Sequence, residues 1–327
     1  MRFLAALLIS PLFALTGDEL PRAFFDHPAV RQGQFVLWHD PGAVETLDFR
    51  YGIGGPEMAP KEPFTFIEED SSGSTPKVRI RDANERQWVI KFGAEGKPDT
   101  FCSRLAWGLG YYAEPAYFVA DGVIAGVHGL GRAAQNIDRN GRFRDGRFQL
   151  RSKDPRFLRW VDWAWDDNPF TGTPELNGLK ILMMLVSNWD NKDSRDADTR
   201  GTNTAIYQHG GQYFYFIDDW GGAMGNWGKF FTRSKWNDKN FYEQSPRFVR
   251  LAENGLEWGY SGQHTKLLTR DIRFSDIAWL MQYLGRVTDP QLRAGLLASG
   301  ASEEETRYYV EGLRQRIGQL QKIVSDR

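Results

Sequence analysis

The sequence predicts an α+β protein of two lobes, a small β-rich lobe followed by a larger helical one. Three features lead there. Short runs rich in β-branched and aromatic residues, bounded by Asn, Asp and Gly turns, cluster over residues 64–92. The last third of the chain repeats apolar residues every third or fourth position behind acidic or Ser starts. Between them the apolar run Ile181-Leu182-Met183-Met184-Leu185-Val186 breaks directly into Ser187-Asn188-Trp189-Asp190-Asn191-Lys192-Asp193.

In chain order, residues 1–17 read as an export signal. Met1-Arg2 gives a charged start, residues 3–15 are apolar apart from Ser10 and Pro11, and Gly17-Asp18-Glu19 restores polarity. Residues 18–60 form an irregular extension with Phe35-Val36-Leu37-Trp38 as a strand candidate. Residues 61–127 make the β-rich lobe. It holds strands at 64–68, 78–81 and 87–92, a helix over 99–110 with Phe101, Leu105 and Leu109 on one face, and a strand at 117–125. Residues 128–327 make the helical lobe. It opens on a loop-rich stretch with an Arg-dense segment (139–151) and Trp160, Trp163 and Trp165. A helix at 176–186, strands at 204–207 and 213–217, and helices at 276–284, 289–297 and 303–323 follow.

Composition narrows the function. A net charge of −1 over 327 residues advertises no basic face, so nucleic acid is not an expected partner. Past residue 17 no apolar run is long enough to span a membrane. The single Cys102 excludes an internal disulfide and a multi-Cys zinc site, and the five His are scattered.

The residues that carry chemistry come in a telling order. Between the first two strands, Ser72, Gly73 and Ser74 form a small-residue tip whose backbone N–H groups can approach a phosphate, with Lys77 adding charge. Trp88-Val89-Ile90-Lys91 sets a lysine at a strand end, and Asp99 opens the helix that follows. Then come Asp190, Lys192 and Asp193 in the acidic loop, Asn203 before a strand, and Asp219 in Asp218-Asp219-Trp220-Gly221 after the next. Phosphoryl transfer needs a lysine on the phosphates, a carboxylate to orient the attacking hydroxyl, and an Asn and an Asp to hold Mg²⁺.

The chain from residue 64 onward resembles the protein-kinase-like superfamily in its atypical branches, the HipA-type and phosphoinositide-kinase-like proteins. It also resembles a group of uncharacterised bacterial proteins with the Asn-Trp-Asp-x-Lys-Asp loop. Ser72-Gly73-Ser74-Thr75-Pro76-Lys77 is similar to the HipA-type loop over the nucleotide. The resemblance implies Lys91 as the phosphate-pairing lysine, Asp99 as its acidic partner, Asp190 as the catalytic-loop carboxylate, and Asn203 and Asp219 as ligands of Mg²⁺ (or Mn²⁺). Lys192 would meet transition-state charge, and Asp193 is an alternative base.

The sequence departs from that pattern in three places. Asp99 is one methylene shorter than the usual Glu. Arg195 stands where the Asn is usual and Asn203 comes eight residues later, as though 195–202 were inserted. No His sits in the catalytic loop.

The expectation is an ATP- and Mg²⁺-dependent phosphotransferase acting on a protein, lipid or small molecule. Nucleotidyl transfer would use the same residues. The alternatives are a pseudokinase or nucleotide-binding module without catalysis, and an exported carbohydrate-active protein using the Trp160–Trp165 segment with Asp166 and Asp167. If the signal operates, the protein is periplasmic or extracellular, where ATP is scarce; otherwise it is cytoplasmic.

Overall fold

A computed structural model describes residues 34–71, 75–151, 158–196, 202–209, 211–229, 231–253 and 255–326. The proposed signal and the tip residues Ser72, Gly73 and Ser74 lie outside them.

In the first lobe β2 (Phe64–Glu69), β3 (Lys77–Arg81), β4 (Gln87–Phe92), β5 (Ala116–Ala125) and β6 (Arg142–Arg151) close into a barrel in the order β2-β3-β4-β6-β5. Side chains alternate across each strand. Val78, Ile80, Trp88, Ile90, Phe92 and Phe148 therefore fill the interior, and Lys77, Lys91 and Arg147 fall on the outer face. Register brings these three cations side by side, because Lys91 sits opposite Lys77 on one flank and Arg147 on the other. The barrel thus runs on to Arg151, past the lobe boundary expected at residue 127. The Arg-dense segment reads as loop because its arginines alternate with the inward Phe143 and Phe148, hiding a strand behind surface charge.

Helix α1 (Gly96–Gly108) starts on the barrel, lies against β5 and β6, and turns Phe101, Leu105 and Ala106 into the core of the second lobe. It is the element both lobes share. The second lobe is built on α2 (Pro174–Leu185), capped by Thr173, whose hydroxyl accepts the Leu176 N–H, with Pro174 at the first turn. Its residues from Leu176 to Leu185 are buried, so it is apolar all round, as a central helix must be. Around it pack α4 (Thr265–Thr269), α5 (Phe274–Leu284), α6 (Asp289–Leu297) and α7 (Glu303–Ser325), with α3 (Asp238–Gln244) against α7, the last begun by a Ser302–Glu305 capping box.

A sheet in the order β1-β9-β8-β7 covers another side, made of β1 (Gln34–Val36), β7 (Leu158–Val161), β8 (Thr204–His209) and β9 (Gln212–Ile217). Of the segment expected as an irregular extension, residues 34–49 therefore belong to this lobe and residues 51–59 lie against the barrel. Strand β1 runs parallel to β9, Trp38 Nε1 donates to Leu109 O at 2.8 Å, and Phe49 is buried against Gly108.

Candidate active site

Helix α2 ends at Val186, and the turn after it is held from three sides. Ser187 takes a left-handed backbone (φ 56°). Arg316, fully buried on α7, donates to Leu185 O and Ser187 Oγ, each at 2.7 Å. The Tyr260 hydroxyl donates to Asn188 O and accepts from Asn191 Nδ2 at 2.7 Å. Asn188 Oδ1 accepts the Asp190 N–H at 3.2 Å, so the loop presents Asp190 from a rigid base. Lys192 Nζ lies 3.5 Å from the Asp190 carboxylate.

The insertion leaves and returns to one place. The Asn203 N–H bonds to Lys192 O at 3.1 Å, and the Asn203 side-chain amide donates to the carbonyl of Asp190. Asn203 is thereby set beside Asp190 despite its unusual spacing. Strands β8 and β9 then carry the chain to Asp219, which faces the barrel, and Lys91 Nζ lies 3.7 Å from Asp219 Oδ2. Both side chains stay partly open, at 20% and 30% exposure, so a ligand can reach them. Gly221 donates to Asp219 Oδ1 at 2.7 Å, and a Cβ on Gly222 would stand 2.7 Å from Asp190 Cβ. Gly222 lets the Asp219 turn pack directly on the Asp190 loop, and Gly221 lets it pack on Glu95.

The electrostatics follow from burial and pairing. Burial alone would lower the Lys91 ammonium, but Asp219 and Asp99 outweigh it and hold Lys91 above its ordinary value. Burial would raise Asp219, yet Lys91, the Gly221 N–H and Arg147 keep it below the usual carboxylate range. Asp190 is different: burial raises it against the pull of Lys192, the direction that suits a proton acceptor.

Two sequence expectations are corrected here. Asp99 pairs with Arg147 (3.1 Å) rather than with Lys91, and its other oxygen accepts the Trp220 N–H at 3.0 Å. Its shorter side chain serves the neighbouring cation and the Asp219 turn, and burial pushes it up to about 6 despite Arg147. Asp193, expected as an alternative base, has its oxygens committed to other partners. It is fully buried, takes the Trp165 N–H at 3.1 Å, and accepts Arg195 Nε at 2.9 Å and Arg195 Nη2. Arg195, where an Asn was usual, anchors the start of the insertion. Of that segment, residues 197–201 lie outside the described residues.

Asp193, Asp196 and His264 lie close enough to share a cation. Arg195 already supplies that charge to Asp193, and His264 Nε2 is 2.7 Å from Asp196. Hard oxygen donors suited to Mg²⁺ stand instead at Asp219 and Asn203. Asp219 is held ionised, and the Asn203 amide nitrogen is committed to Asp190, which leaves its oxygen as the donor. The ends of the Gly/Ser tip are fixed: Thr75 Oγ1 donates to Glu95 Oε2 at 3.0 Å, and Lys77 lies 3.9 Å from Asp70.

The carbohydrate alternative loses two of its three platform tryptophans, and the Trp160 side chain lies outside the described residues. Trp163 and Trp165 are buried, and Asp166 is tied to Arg195 at 2.9 Å and Arg270 at 3.5 Å. Sequence reading missed Arg147, Tyr260 and Arg316. Arg147 could have been found from the alternation of its strand; the other two reach the loop from distant elements, with no local signal.

The chain is similar in arrangement to solved kinase structures. The proinflammatory kinase CtkA of Helicobacter pylori aligns with 11% identity over 80% of this chain and 96% of its own, at a TM-score of 0.49. The Golgi casein kinase aligns with 13% identity over 82% of this chain and 72% of its own, TM-score 0.43. The same kinase with Mn/ADP bound gives 12%, 83%, 74% and 0.42. No protein-family model matches the sequence, and no curated protein does.

Proposed function

We propose that the chain is an ATP-dependent phosphotransferase that moves the γ-phosphoryl group to a hydroxyl of its acceptor. The observation that carries this reading is the Lys91–Asp219 ion pair across the lobes, with Asp190, Lys192 and Asn203 converging beside it. Lys91, with Lys77 on the adjoining strand, meets phosphate charge as point cations. Asp219 and Asn203 would hold Mg²⁺ (or Mn²⁺), which supplies charge neutralisation on the phosphates. Asp190 takes the proton of the acceptor hydroxyl. The freed oxygen pair bonds to the γ-phosphorus while the bond from that phosphorus to the β–γ bridging oxygen breaks, and ADP leaves with its electrons.

The test is a thermal shift with ATP, ADP and GTP, each with and without Mg²⁺ or Mn²⁺, alongside phosphate transfer. Lys91→Ala or Asp219→Ala should abolish most of the Mg²⁺–ATP shift. Asp190→Asn should leave the shift near wild type and cut transfer by roughly 10²–10⁴-fold. Absence of any metal-dependent nucleotide shift at millimolar ATP would sink the reading. A second reading, a nucleotide-binding module without catalysis, is favoured by the loss of Asp99 to Arg147. It predicts the shift without Asp190-dependent turnover.

A further inference from the structure

We propose that Arg233 selects the acceptor, and that the acceptor is an acidic peptide whose carboxylate seats on the Arg233 guanidinium. This rests on the phosphotransfer reading and adds the chemistry of what enters beside the nucleotide. After Asp219 the chain folds back into a compact loop. The Trp236 N–H bonds to Ala223 O (3.1 Å), the Asn237 N–H to Met224 O (2.8 Å), and the Ser234 N–H to Asn226 O (3.1 Å). Trp189, the residue before Asp190, donates its indole N–H to Ser234 O at 2.8 Å. Its ring carries the Arg233 guanidinium at 5.3 Å, and Arg233 Nε donates to Gly228 O at 2.8 Å.

The Arg233 side chain is thus half-buried and fixed along its stem, with its terminal amino groups left as a fork. A fixed fork suits a carboxylate better than a flexible ammonium does, because less freedom is lost on binding. Among the described residues no carboxylate pairs with Arg233. Four cations of the cleft each have one: Lys91 has Asp219, Lys192 has Asp190, Lys235 has Glu95 and Arg147 has Asp99.

Phe231 on the same loop is 94% exposed and Lys229 is exposed, extending the surface further than a small acceptor would use. The Trp189 ring under Arg233 belongs to the residue before Asp190, so the selected carboxylate lies close in the peptide to the hydroxyl.

The experiment measures anisotropy of a fluorescein-labelled peptide with one Ser flanked on both sides by Glu residues, against its Gln counterpart. Wild type, Arg233→Ala and Arg233→Lys are compared at low and moderate salt. Wild type should prefer the Glu peptide by roughly ten- to a hundredfold, Arg233→Ala should erase the preference, and Arg233→Lys should keep part of it. All three should keep the same Mg²⁺–ATP thermal shift, which also shows that they are folded. Equal binding of the two peptides, a preference that survives Arg233→Ala, or Arg233-dependent binding only to phosphatidylserine vesicles would each overturn the proposal. If the Arg233-dependent preference appears but no metal-dependent nucleotide shift does, acidic-peptide recognition by Arg233 stands and the phosphotransfer reading fails.

Discussion

Asp99 shows how one methylene redistributes a charge network. It neutralises Arg147 and fixes the Trp220 N–H, so the carboxylate set beside Lys91 is Asp219. Burial raises its carboxyl from the ordinary Asp range to about 6, so the folded state takes up a proton that the unfolded chain releases. That contribution to stability is present in full below the ordinary Asp range and fades as pH rises through about 6. Lowering the pH from 7 to 5 should therefore favour wild type over Asp99→Asn by about 1 kcal/mol, read as the difference in urea midpoints. Asp219 has the opposite sign, and its loss falls below the ordinary Asp range, in a separate window. At this scale the sequence was informative for Lys91, Asp190, Asn203 and Asp219, which stand together in the fold. It was misleading for Asp99 and Asp193, because which carboxylate faces which cation depends on side-chain reach and on strand register.

Among elements, the packing of the Asp219 turn on the Asp190 loop depends on a missing side chain. Gly222→Ala would drive a Cβ to 2.7 Å from Asp190 Cβ. It should destabilise by about 1–3 kcal/mol and lower kcat more than it weakens Mg²⁺–ATP binding. Gly318→Ala is the control: nothing lies within 4 Å of that position on α7, and the change should stabilise by about 0.5–1 kcal/mol. Arg316 supports the same loop from behind. Its hydrogen bonds go to Leu185 O, Phe241 O and the hydroxyls of Ser187 and Ser245, with the Phe241 ring 3.7 Å away. Burial holds the guanidinium well below its ordinary value. Arg316→Met should cost about 2–4 kcal/mol by leaving those oxygens unpaired, visible as a lower chemical-denaturation midpoint. The helices and the strands at 64–92 were legible because their apolar periods are regular. β6 was not, since surface arginines masked its alternation, and β1 owes its place to parallel pairing with β9, a long-range fact.

Over the whole molecule, the order of a β-rich region and then a helical one was legible from composition along the chain. The interleaving was not: residues 35–49 pack on the second lobe, residues 51–59 return to the barrel, and α1 belongs to both cores. One carboxylate ties this larger arrangement together. Glu95, where α1 begins, takes the Thr75 hydroxyl on one oxygen at 3.0 Å and Lys235 on the other at 2.6 Å. Thr75 closes the Gly/Ser tip, and Lys235 lies two residues beyond Arg233. Both partners of the ion pair are about one-third exposed, so it adds little to stability. Glu95 bridges Thr75 at one end of the cleft and Lys235 at the other. Occupancy of either end should then improve affinity at the other, and reciprocity requires the factor to be equal in both directions, typically 5- to 150-fold. Calorimetric titration of Mg²⁺–ATP with and without the Glu peptide, and of the peptide with and without Mg²⁺–ATP, should return matching factors. Glu95→Gln should bring both toward one while leaving the melting temperature nearly unchanged. Unequal factors, or cooperativity that survives Glu95→Gln, would show that the two ends act independently of this carboxylate.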